Sequence, residues 1–210
     1  MSGRDHRRAA AGRRRRLVRR GVVLAGLLAV VSLVTAASAD ADVMARYRTA
    51  YKTRLTAFRF GMDSASGAFT QYKQQAEAAS LQLRIALEDG DAANIETAKQ
   101  VAMSERSLMQ DQVRRQRDAI YADINRFRAT AAAWFDSDAD KQRFKTRLTS
   151  MRAGFKRLFS ADETLMSAFW HLGVNADPAS ANVDIMEAPQ TAKDAEKAFD
   201  KALKLLRALL

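Results

Sequence analysis

From Met44 onward the apolar residues recur at spacings of three and four: Met44, Tyr47, Tyr51, Leu55, Phe58, Met62, Ala65, Phe69, Tyr72, Ala76, Ala79, Leu83 and Ala86. Polar residues fill the positions between them. A stripe of this period is what a helix shows when it is buried along one side, and it predicts a first helix over about 42–88. The pattern stops at Glu88-Asp89-Gly90-Asp91. There Gly90 can supply a left-handed C-terminal cap, and Asp91 or Asn94 can start the next helix. At 1.5 Å per residue, about 45 residues make a helix roughly 68 Å long.

A second stripe runs through Ile95, Ala98, Ala102, Met109, Val113, Ile120, Ile124, Phe127, Ala131 and Trp134, with Glu105 and Gln116 interrupting it. It predicts a helix over about 92–135. Asp136-Ser137-Asp138 then ends that helix and caps a third, over about 139–172, which carries Phe144, Leu148, Met151, Phe155 and Leu158. Ser160-Ala161-Asp162-Glu163 has the form of a capping box and predicts a kink or restart before Leu165. Both prolines, Pro178 and Pro189, fall within 173–190, which reads as a linker. A last amphipathic helix is expected over 191–210, with Ala195, Ala198, Ala202, Leu205 and Leu209 on one face.

Short connections between long helices force antiparallel neighbours. The expected fold is therefore all-α: an elongated antiparallel bundle of three to four long helices over 40–172, with no strand pattern. Two prolines, nine glycines and an abundance of good helix formers agree with this.

Ahead of the bundle lies a different kind of segment. Residues 1–39 hold nine arginines against Asp5, a net of +8, and 21–39 contain no charged residue. Basic, then apolar, then the small-residue end Ala37-Ser38-Ala39 is the order of an export signal. Residues 1–39 are thus expected to be a signal peptide cleaved after Ala39, or an uncleaved anchor, since roughly 19 apolar residues approach the ~20 that span a bilayer. The expected location of the rest is extracytoplasmic, in the periplasm, secreted, or tethered to the inner membrane facing outward. The charge of +11, which by itself suggests nucleic acid, belongs mostly to this leader; 40–210 carry 26 basic and 23 acidic residues, a net of +3. No nucleic-acid partner is expected.

Candidate chemistry is sparse. No cysteine is present, which excludes disulfides, thiolate metal sites and covalent haem attachment through Cys-x-x-Cys-His. His171 is the one histidine beyond the leader, so it is the weak candidate for a cofactor ligand, paired with a methionine such as Met44 or Met62. Its plainer reading is a helix-end histidine facing the last carbonyls. No metal and no cofactor is expected, and no phosphate loop, nucleophile elbow or paired-carboxylate motif points to an enzyme.

The charge distribution inside the bundle is uneven. Residues 112–160 hold twelve basic and five acidic side chains, while the flanking parts of the bundle are slightly acidic. Two stretches, Arg114, Arg115, Arg117, Arg126 and Arg128, then Arg143, Lys145, Arg147, Arg152, Lys156 and Arg157, are brought side by side if helices two and three form a hairpin. That face suits an anionic partner: a membrane, an envelope polyanion or an acidic protein. Trp134 and Phe135, in an apolar tip beside the turn, are a candidate contact point. The expected function is a non-enzymatic envelope bundle that is structural, adaptor or sensor-like. It would act through protein partners, self-association or anionic surfaces. A ligand- or cofactor-carrying bundle, with a cavity lined by His171, Tyr47 or Tyr51, and a membrane-active helical protein are the alternatives; a small molecule is the less expected partner.

Overall fold

Four helices and one short turn make up the described residues: α1 (Asp5–Asp89), α2 (Ala92–Ala131), a 3-10 turn (Ala132–Trp134), α3 (Asp138–Gly173) and α4 (Pro178–Arg207). The computed structural model describes the backbone of residues 5–209 and the side chains of residues 45–209. The expected leader, 1–39 with its cleavage point after Ala39, lies outside the residues described with side chains, as does Met44. Among the described residues no helix is long and apolar enough to cross a membrane. The chain divides into two compact units, Met1–Ala50 and Tyr51–Leu210.

The second unit is all-helical, and its packing follows from the stripes. The first seam is buried at every position from Tyr51 to Ala86. Contacts between helices fix their directions. On the α1/α2 side, Arg54 meets Asp123 at 3.3 Å and the Gly61 position faces Ile120. On the α1/α4 side, the Ser80 hydroxyl donates to Asn182 Oδ1 at 3.1 Å, Arg59 pairs with Asp200, and the Tyr51 hydroxyl donates to the Leu206 carbonyl. Tyr121 meets Phe159 and Phe127 meets Phe144 between α2 and α3, and Phe155 meets Phe199 and His171 faces Asp184 between α3 and α4. Residue numbers rise on one helix as they fall on its neighbour in all four pairs. The unit is an up-and-down four-helix bundle in which α1 contacts both α2 and α4.

The caps are where local chemistry puts them. Gly90 has φ +71°, the left-handed conformation that glycine adopts without penalty. The Asp91 carboxylate accepts from the Ala93 amide at 2.9 Å, and the Ser137 hydroxyl accepts from the Asp140 amide at 3.1 Å.

Three expectations need correction. No linker occupies 173–190: the chain turns over 174–177, Asp177 caps α4 by accepting from Ala179 and Ser180, and Pro178 sits in the first turn, where no amide is needed. Pro189 lies inside α4. It removes one helical hydrogen bond at a cost of roughly 3 kcal/mol, and burial of Ala181, Ile185, Ala188, Ala192 and Ala195 on the flanking turns offsets it. The buried face of 191–210 is also rotated from the expected one: Phe199, Leu203 and Leu206 are buried with Ala195 and Ala202, while Ala198, Leu205 and Leu209 are half-buried. The larger apolar area of Phe199 wins the core position. Finally, α3 does not restart at Ser160; it is helical throughout, with Ala161 and Asp162 buried in its middle. Pro189→Ala is expected to raise stability by about 1–3 kcal/mol, up to the penalty of a proline inside a helix. Urea denaturation followed by circular dichroism checks this, and an unchanged midpoint would contradict it.

Candidate basic furrow between α2 and α3

Helices α2 and α3 leave a furrow along their line of contact. One part, of 520 Å³, is walled by Arg106, Arg114, Arg117, Glu163, Met166 and Trp170. The other, of 570 Å³, is walled by Arg117, Tyr121, Arg152, Lys156, Phe159 and Glu163. Arg117 and Glu163 belong to both, so the two parts are neighbours along the α2/α3 contact. Arg152 lies 4.5 Å from the centre of the Tyr121 ring, a cation–π contact that holds the guanidinium at the wall. Burial raises the Tyr121 phenol above its usual pKa although Arg152 and Arg117 pull it down, so it is a neutral hydroxyl at pH 7.

Of the eleven basic residues expected on one face, Arg114, Arg117, Arg152 and Lys156 line this furrow. Arg115 instead lies close enough to Tyr72 of α1 for its charge to act on that phenol. Arg126 and Arg143 pair with Asp123 and Asp140 on their own helices, and neither they nor Arg128, Lys145, Arg147 and Arg157 line either part.

The density of charge on α3 exceeds what a solvated helix needs. Residues 141–161 hold seven lysines and arginines and no acid. Lys141 and Arg143 reach back to Asp138 and Asp140. Among the described residues, Lys145, Arg147, Arg152, Lys156 and Arg157 have no carboxylate within ion-pair distance. Lys141/Lys145, Arg143/Arg147 and Arg152/Lys156 are like-charged pairs four residues apart, each destabilising by a few tenths of a kcal/mol. A helix that keeps such pairs without interleaved acids has its charge arranged for something outside itself.

The other expected residues are placed elsewhere. Trp134 and Phe135 turn inward: Trp134 packs on Tyr51 and Phe127, and Phe135 on Phe144 at 5.1 Å. Both are half-buried and extend the core. His171 stands at the α3/α4 turn, with Nε2 3.6 Å from Asp184 and Nδ1 3.2 Å from the Asn175 amide. Of these two contacts only the one at Nδ1 is within hydrogen-bond distance. Met62 is near the level of Phe155, because Ser66 bonds Glu196 while Phe199 packs on Phe155. Sixteen residues of α3, about 24 Å, separate that level from His171. A haem held by these two residues is therefore excluded by geometry. Tyr51 lies at the opposite end of the bundle from His171, so these two line no common cavity, and Tyr47 belongs to the other unit. No cluster of three or more potential metal ligands occurs among the described residues.

Sequence reasoning did not identify Arg106, Glu163, Met166 or Trp170 as furrow residues. The one available signal was the break in the α2 stripe at Glu105-Arg106, where a buried side chain was due and a polar one stands. No protein-family model, curated protein or solved structure matches this chain.

Proposed function

We propose that this chain is an exported or membrane-anchored helical bundle of the cell envelope that acts by contact rather than catalysis, presenting the α2/α3 face to an anionic partner. The observation that carries the reading is that Arg152 and Lys156, from the acid-free run 141–161, line a furrow together with Arg117 of α2. Export supports it from the sequence side: a basic-then-apolar leader precedes a bundle whose own net charge is only +3.

The double substitution Arg152→Glu/Lys156→Glu tests it. Both side chains are exposed, so the bundle should keep its helical signal. Binding to dextran sulfate at low salt should weaken at least ~10-fold in the double variant, and wild-type binding should fall steeply with added salt. Equal binding by the two proteins would refute the assignment of this face. Sequencing the N-terminus of the protein recovered from the envelope tests the export reading, with Ala39 as the expected cleavage point.

A further inference from the structure

The kind of anion can be narrowed, an inference that rests on the anion-binding reading above. The furrow is not lined by charge alone. Val113, Met166 and Trp170 wall its first part, and Tyr121, Ala153 and Phe159 its second. Trp170 is 39% exposed, although the surrounding core buries every phenylalanine of α3 below 3%. Two simple anions fit poorly. A planar lipid surface meets the ridges of a bundle and leaves an apolar furrow unfilled. A bare polyanion lays charge against Val113, Met166 and Trp170 and removes no apolar area from water.

The geometry points to an acidic amphipathic helix of another protein, seated along the furrow as a fifth helix. From Arg106 to Tyr121 the furrow follows fifteen residues of α2, about 22 Å or four helical turns. A guest helix of that length offers apolar side chains at i, i+3 or i+4 and i+7 to the apolar wall, and its edges carry carboxylates to the cations on both sides. Arg106 adds an independent mark: its Nε is buried without an acceptor, and its side chain lines the furrow. A guest carboxylate would meet the guanidinium where the side chain lines the furrow, and a charge-assisted bond to guanidinium is among the stronger contacts available. Glu163, the one acid lining either part, sits where both meet and disfavours an acid at the middle of the guest.

Fluorescence anisotropy with the full chain and three labelled peptides of about 16 residues, some four turns, tests this. One carries a leucine stripe with glutamates elsewhere, one is its scramble, and one is all glutamate. The striped peptide should bind about 10-fold tighter than the other two and become helical on binding. Trp170→Ala should weaken it at least ~5-fold while leaving all-glutamate binding unchanged, and Arg117→Glu should weaken all three. Equal affinity for the three peptides would overturn the amphipathic helix and leave the anion-binding face standing. Binding of phosphatidylglycerol vesicles that is tighter than that of the striped peptide and is lost in Arg117→Glu would overturn it in favour of a membrane. No binding of any peptide at low salt would sink both readings together.

Discussion

Gly154→Leu is expected to destabilise the bundle by about 3 kcal/mol or more, enough to unfold a marginal domain. A Cβ at position 154 would stand 3.2 Å from the amide nitrogen, Cα and Cβ of Phe199. Two of those atoms are backbone, which cannot rotate aside, so relief requires α3 and α4 to separate. Separation would open the Phe155–Phe199 pair, whose ring centres are 4.8 Å apart, and both rings are fully buried. Gly154→Ala should be far milder, because roughly 1 kcal/mol of gained helix propensity opposes a displacement of a few tenths of an ångström. Urea denaturation of the three proteins checks the series. A leucine variant as stable as the parent would mean that α3 and α4 are not pressed together at this level.

The second large effect is on pH dependence. Asp162 is 1% exposed in the middle of α3, and its Oδ1 has no hydrogen-bond partner. Burial, reinforced by the neighbouring Glu163 charge, pushes its carboxyl up to about 8. The same buried environment and the Asp162 charge hold Tyr72 near 12, with Arg115 pulling the other way. In the unfolded chain Asp162 loses its proton near pH 4, whereas in the bundle it keeps it to about 8. Between those values the unfolded state binds fewer protons, so stability falls as pH rises through that window. From pH 4 to pH 7 the loss is about 4 kcal/mol, three pH units at ~1.4 kcal/mol each. Asp162→Asn keeps the shape without the ionisation, and its stability should not show this decline. At pH 8 the variant should be the more stable protein by several kcal/mol. Matching slopes for the two proteins across pH 4–8 would show that Asp162 is not held neutral.

These two residues also mark how far local pattern carries. Gly154 is unremarkable in the sequence: it falls on the apolar side of α3 among larger residues, and only the position of α4 shows why it must be small. Asp162 lies inside the capping-box pattern Ser160–Glu163, and an acid in the first turn of a restarted helix has the same local signature as one in a buried turn. Which of the two it is depends on what packs over it.

The same division runs through the whole molecule. Local pattern was enough for the helical class, for the stripe of α1 that is buried from Tyr51 to Ala86 although Tyr47 ahead of it is exposed, and for the caps at Gly90, Asp91 and Ser137. Each depends on interactions within a few positions along the chain, so period and turn chemistry are enough. It also located the excess of charge between Gln112 and Ser160. It took the packed bundle to make Pro189 helical, because burial along α4 outweighs a local penalty that a single stretch of sequence must take at face value. Only it decided that Phe199 and Leu206, rather than Leu205 and Leu209, enter the core. Only it brought Arg106, Glu163, Met166 and Trp170 to the same furrow as Arg117, Arg152 and Lys156. The rotation of each helix about its own axis selects which neighbours share a wall, and that rotation is set by packing all four helices at once.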